Sequence, residues 1–186
     1  MRLSTELLLL CSEMRSTLYG EWHSVPEMRN ALSLGVEQAV DDRIGFARRL
    51  ASWATAMAGT SDEMDARNSI SRAYYACHHA ARALCLYRNR QDEYDHYDAI
   101  KVFSKIANAE PTLRSRLGVA GPAEIGDRLK ELMDQRHLAD YYPYGTSEPH
   151  IPPLDFIAVA PSVAQRAADF VGTVGAFIED KRGGRI

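Results

Sequence analysis

The sequence predicts an all-α protein, an antiparallel bundle of about five long helices, and three observations predict it. Apolar residues recur at helical spacing along most of the chain, no stretch alternates with the period of two that a half-buried strand requires, and Gly, Pro and capping residues punctuate the periodic segments. At 186 residues the chain is long enough to enclose one continuous apolar core without metals or disulfides.

The first segment, Thr5 to Tyr19, sets Leu7, Leu10, Cys11, Met14 and Leu18 on one side of a helix. Pro26 then falls where a second helix should begin, since the first turn leaves its N–H groups unpaired and a missing one costs nothing there. That helix is expected to reach about Met57, directing Leu32, Val36, Ala39, Ala47, Leu50 and Ala54 to the core. Gly59 breaks the pattern, and Thr60 with Glu63 has the spacing of a capping box for a helix ending near Tyr87. From Asp95 to Ala109, Ile100, Phe103 and Ile106 stand at core spacing until Pro111 stops the segment. Pro122 opens the next long helix, to about Asp140, with Ile125, Leu129, Leu132 and Met133 as its apolar stripe. A loop rich in Pro, Gly and Tyr is expected from Tyr141 to Ala160. Pro161 is expected to open the last helix, where Val163, Ala167, Phe170, Val174 and Phe177 repeat. Residues 1–25 thus read as an N-terminal helical extension, 26–180 as the bundle and 181–186 as a flexible tail.

Composition narrows the function classes. A formal net charge of −3 gives no long-range field toward phosphate backbones, so any RNA contact has to be local. The three cysteines, Cys11, Cys77 and Cys85, form no C-x-x-C spacing. Cys77 and Cys85 share a helix about 12 Å apart by helical rise, too far to pair, which points to a reducing compartment and buried thiols. The run Leu7 to Leu10 before Cys11 imitates a lipoprotein signal, but it is shorter than the roughly seven apolar residues such a signal needs and follows Glu6. Export is rejected, no apolar stretch approaches the ~18 residues of a membrane span, and a cytoplasmic location is expected.

Two motifs carry a resemblance. The segment Ser69-Ile70-Ser71-Arg72-Ala73-Tyr74-Tyr75-Ala76-Cys77-His78-His79-Ala80-Ala81-Arg82-Ala83-Leu84 is similar to the tyrosine-rich helix of one branch of the HEPN family. These are small helical proteins often encoded beside nucleotidyltransferases. Arg136-His137-Leu138-Ala139-Asp140-Tyr141 resembles the R-x-x-A-D-Y block of the same branch, and His96 with Ile100 and Phe103 fits the short helix between them. The resemblance spans about Met28 to Ile178. It implies an antiparallel helical bundle that dimerises, with a cleft near the dimer seam, working in a toxin–antitoxin, defence or nucleotide-signalling setting. Active members are metal-independent ribonucleases whose signature is an Arg, often followed by a polar residue, then four to six residues and a His. The chemistry explains the signature: imidazole can move a proton from the 2′-hydroxyl, and guanidinium can stabilise charge on the phosphorane.

Here the opening of the signature stands at Arg136 and His137, but the positions of the distal His hold Tyr141, Tyr142 and Pro143. A phenol, with a pKa near about 10, is a poor base at neutral pH. In the tyrosine-rich helix, Arg72 and His79 lie within about 20° of each other two turns apart, while His78 points about 120° away. Tyr75 and Arg82 flank that face, opposite a stripe of Ala73, Cys77, Ala80 and Leu84. The face Arg72-Tyr75-His79-Arg82 is either a binding face for phosphate or base, or a hydrated or dimer-facing polar stripe. Arg136 lies on the side of Ile125, Leu129, Leu132 and Met133, so it is either catalytic or held in a buried pair, with Asp140 one turn on or with a carboxylate such as Asp65.

The candidate catalytic residues are therefore Arg136, His137, His79 and Arg72, and the candidate ligand-binding residues Tyr75, Arg82, His96, Asp140 and Tyr141. No cofactor or metal is expected, since no metal-ligand spacing or phosphate-cradling loop occurs. Tyrosines 141, 142 and 144 read as packing residues, with AMP acceptance from a nucleotidyltransferase as the minority reading. The resemblance implies an RNA-directed protein, either a ribonuclease with a degenerate motif or a binding relative. Its partners would be a second copy, a nucleotidyltransferase-type antitoxin and RNA, with no membrane. The alternative is a non-catalytic module holding a partner protein or small nucleotide.

Overall fold

The computed structural model describes residues 26–90, 92, 95–141 and 155–186, with side chains from residue 33 onward except that of Pro122. Six helices occur among the described residues: α1 (Pro26–Met57), α2 (Glu63–Asn89), α3 (His96–Ala109), α4 (Pro111–Arg116), α5 (Pro122–Tyr141) and α6 (Phe156–Arg182). The expected all-α bundle is the observed one, and no strand occurs among the described residues. The expected helix from Thr5 to Tyr19 lies outside them, as does the loop from 142 to 154.

α2 is the central element, packed against α1, α3, α5 and α6. Its composition makes this possible: Ala66, Ala73, Ala76, Ala80, Ala81 and Ala83 are buried, as are the thiols of Cys77 and Cys85, so neighbouring helices approach closely on several sides. Around it the core is filled by Val40, Ile44 and Leu50 from α1, Phe103 from α3, Ile125 and Met133 from α5, and Val163, Val174 and Phe177 from α6. Each such large apolar side chain contributes about 1.5–3 kcal/mol on leaving water. Among the described side chains the predicted stripes of α1, α5 and α6 are the buried ones, although Ala39 and Phe170 pack only partly buried; Leu32 of the α1 stripe lies outside those side chains.

The boundaries needed correction at three places. The α2 cap is Asp62, whose carboxylate accepts the Asp65 N–H at 3.0 Å, and Thr60 Oγ1 instead donates to the Asp62 carbonyl. The last helix starts before Pro161, because Asp155 caps it by accepting the Ala158 N–H. Pro161 therefore sits within α6, on an exposed side where the lost N–H is tolerated. At its other end α6 continues through Lys181 and Arg182, which bind Glu110 and Glu37 with Asp41, so the tail begins two residues later than expected.

Candidate functional site

The C-terminal half of α5 meets the middle of α2 at Arg136. This guanidinium is 9% exposed and is held on three sides. Its Nε lies 2.6 Å from Asp140 Oδ2, one turn along the same helix. Its Nη2 donates to the Tyr75 hydroxyl at 2.6 Å and, more weakly, to the Tyr141 hydroxyl at 3.4 Å. Its central carbon stands 5.1 Å from the Tyr75 ring and 5.3 Å from the Tyr141 ring. Burial pulls its pKa down, but Asp140, Tyr75 and Tyr141 outweigh burial and hold it above the ordinary value. The pairing with Asp140 is one of the two expected readings, and Asp65 plays no part in it. Among the described residues the hydrogen bonds of the guanidinium all leave from Nη2.

α3 brings His96 to the same place. Asp95 caps α3 by accepting the N–H groups of Tyr97 and Asp98, which fixes His96 as the first helical residue. The His96 ring then lies 2.6 Å, through Nδ1, from the buried Tyr74 hydroxyl and 6.1 Å, centre to centre, from the Tyr75 ring. Burial raises the Tyr74 pKa and keeps the phenol protonated. The hydroxyl and Nδ1 share one hydrogen bond in either tautomer of the neutral ring: Oη donates when the ring proton is on Nε2 and accepts when it is on Nδ1. Burial lowers the His96 pKa, and the positive charge of Arg136 lowers it further, with Asp95 opposing.

Behind His96 lies His78, whose ring is 4.3 Å from that of His96 and stacked at 6.0 Å on Tyr74. Burial drives its pKa down to about 3, helped by the charges of His96, Arg82, His79 and Arg43. Arg82 is buried and bidentate to Asp92, donating from Nε at 3.0 Å and Nη2 at 2.8 Å, and Arg43 of α1 pairs with the same carboxylate.

Of the candidate residues, the structure gathers Arg136, Asp140, Tyr141, Tyr75 and His96 at one junction. The exposed His137 is at its rim, its ring 5.6 Å from that of Tyr141. Arg72, His79 and Arg82 do not join them as one open stripe. Arg72 is exposed and lies over Trp53 of α1, 5.8 Å from the ring centre. His79 is half-buried and edge-on to Phe46 at 4.8 Å, and burial, with Arg82 and Arg43, lowers its pKa to about 4. Asp92 and Arg43 went unnoticed in the sequence, and Tyr74 and His78 stood in the motif without being taken as site residues. The i to i+4 spacing of Tyr74 and His78 was a usable signal, whereas nothing in the sequence pairs Arg43 or Arg82 with Asp92. No group of three or more His, Cys, Asp or Glu placed to hold a metal occurs among the described residues.

Fold and site together define a helical-bundle protein with one guanidinium, two imidazoles and several phenols at a single helix junction. The family model of the HEPN domain matches residues 54–181, more than half of the chain, and the chain belongs to that family. The match begins in the last turn of α1 and runs almost to the end of α6. No curated protein and no solved structure matches the chain. Domains of this family are associated with ribonuclease or nucleotide-related roles and often dimerise. No helix of the described residues is long and apolar enough to cross a membrane.

Proposed function

We propose that the protein is an RNA-directed HEPN dimer that receives a phosphodiester at the Arg136, His96 and His137 junction and cleaves it without a metal, in a toxin–antitoxin or defence setting. The observation that carries this reading is the convergence of a fixed guanidinium and a neutral imidazole from two different helices, Arg136 from α5 and His96 from α3. Arg136 binds the non-bridging oxygens and stabilises the charge that grows there. His96, a neutral ring with its Nδ1–H donated to the Tyr74 oxygen, takes the 2′-hydroxyl proton on Nε2 as that oxygen attacks phosphorus. His137, exposed at the rim and entering the step as an imidazolium, donates a proton to the departing 5′-oxygen, which leaves a 2′,3′-cyclic phosphate, a protonated His96 and a neutral His137. Tyr141 stands where the family signature has its distal His, and His96 supplies the imidazole from another helix.

The test is cleavage of a mixed RNA pool in EDTA, with light scattering to establish the dimer. Cleavage should yield 2′,3′-cyclic phosphate or 3′-phosphate ends. His137→Ala and His96→Gln should each reduce the rate by about 100-fold or more while the fold is retained. Full activity in the double variant, or loss of wild-type activity on chelation, overturns the mechanism. One observation favours a second reading, a non-catalytic module binding RNA or a small nucleotide: both tyrosine hydroxyls beside Arg136 are engaged by it, and no base stands five residues beyond it. RNA binding without cleavage by the wild type would establish that reading.

A further inference from the structure

Most arginines with described side chains are tied to carboxylates, among them Arg48, Arg88, Arg128 and Arg166. Arg49 and Arg72 are not, among the described residues. Each lies instead over an aromatic ring, Arg49 at 5.7 Å from Phe46 and Arg72 at 5.8 Å from Trp53. Both rings are open to solvent, Trp53 at 49% and Phe46 at 36% exposure, and both stand on one face of α1, about 10 Å apart by helical rise. α2 runs alongside and contributes Arg72 against Trp53 and, seven residues on, His79 against Phe46. His79 Nδ1 is buried there without a hydrogen-bond partner. On these helix faces the carboxylates come at the two ends, Asp42 one turn before Phe46, bonded by Gln38, and Asp65 two turns before Arg72.

We infer that this face is a stacking platform for single-stranded RNA, with unpaired bases on Trp53 and Phe46 and backbone phosphates at Arg49 and Arg72. An exposed ring with a guanidinium beside it meets both needs of a single strand, a π-face for the base and a cation for the phosphate. A second copy of the chain fits less well. A two-fold interface would place this patch against itself and bring Arg49 and Arg72 toward their own copies, with carboxylates only at the patch ends. The platform also leads to the reaction site: Arg72 and Tyr75 are one turn apart on α2, and Tyr75 holds Arg136. The patch and the junction are thus neighbours along α2, joined by Arg72 and Tyr75. This inference rests on the RNA-directed reading, which it extends to a surface that reading does not use.

The chain has two tryptophans, so Trp22→Phe leaves Trp53 as the sole indole reporter. That protein is titrated with a short unstructured 2′-O-methyl RNA, which cannot be cleaved through its 2′-oxygen. Binding should quench Trp53 fluorescence, and a duplex of the same sequence should not. In the Trp22→Phe background Phe46→Ala, and in the wild type Trp53→Ala and Arg72→Gln, should each weaken binding about tenfold, with circular dichroism unchanged. Arg49→Gln with Arg72→Gln should also flatten the slope of log affinity against log salt by roughly 1.4. RNA bound with unchanged affinity by the Phe46 and Trp53 variants, without quenching, overturns the platform and leaves the RNA-directed reading standing. Absence of RNA binding by the wild type removes both. A Trp53→Ala protein of halved mass in light scattering assigns the face to self-association and overturns the platform.

Discussion

Two sides of α2 use the same kinds of residue in opposite ways. Toward α3 and α5, its Tyr74, Tyr75 and His78 are buried or half-buried, the two phenols hydrogen-bonded and the imidazole stacked against the rings of Tyr74 and His96. Toward α1, Arg72 and His79 meet Trp53 and Phe46 at the surface, and neither arginine of that patch has a carboxylate among the described residues. On the first side the two phenols are ordered by polar partners, Tyr74 by His96 and Tyr75 by Arg136. On the second the groups are ordered by packing alone, and their polar capacity is left for something else. The lesson concerns how to read aromatic and basic residues: burial turns them into structure, while exposure without a partner leaves them available for recognition.

That contrast gives predictions that diverge in size. The largest effect is expected from acid. The folded-state pKa values of His78 and His79, about 3 and about 4, lie below the value near 6.5 of the unfolded chain, so below about pH 6.5 the unfolded state binds more protons. Stability is therefore complete above that pH and falls as pH drops toward the folded values, by a few kcal/mol near pH 4. Urea unfolding between pH 7 and pH 4 measures it, and His78→Gln should flatten the profile. A flat wild-type curve would mean that water reaches His78.

Next in size is Arg136→Ala. It strands the Asp140 carboxylate and the Tyr75 hydroxyl and should cost about 2–3 kcal/mol, read as a lower midpoint in urea. Wild-type stability in that variant would assign the guanidinium to chemistry alone. Tyr74→Phe should cost about 1 kcal/mol by leaving His96 Nδ1 without its hydrogen-bond partner. It should also free the imidazole to change tautomer, visible in the nitrogen shifts of the ring. The smallest change belongs to the other side of α2, where Trp53→Ala and Arg72→Gln should move stability by about 0.5 kcal/mol or less. A larger loss there would show that the exposed side is structural after all, and the contrast would collapse.

Much of the fold was legible because each outer helix keeps a continuous apolar stripe. Val36, Leu50, Ile125, Leu129, Val163 and Phe177 are buried as the period requires. The capping box at Thr60 and Glu63 and the proline at 161 misled because local cap chemistry at Asp62 and Asp155 outweighed them, and one helix interior absorbed a proline. The site was legible where spacing along a single helix sufficed, as for Arg136 with Asp140. It was opaque at α2, because a helix surrounded by four others has no single inward face. The wheel that set His78 apart from Arg72 was right in angle but could not say that His78 is the more deeply placed. Nor does the sequence mark Asp92 as the carboxylate that joins Arg43 of α1 to Arg82 of α2.

The row of alanines along α2 has a consequence for how this protein can change. Where the central rod is made of methyl groups, as at Ala76 and Ala80, its neighbours pack against it with no side-chain volume to spare. Every larger residue there acts as a spacer that pushes a neighbouring helix outward, at a cost of roughly 1–3 kcal/mol for even a few added methylenes. Variation in the chemistry of the junction must therefore come from the residues at its mouth, His96, His137 and Tyr141. The rod behind them acts as a fixed gauge, and a lineage could change that chemistry without redrawing the bundle.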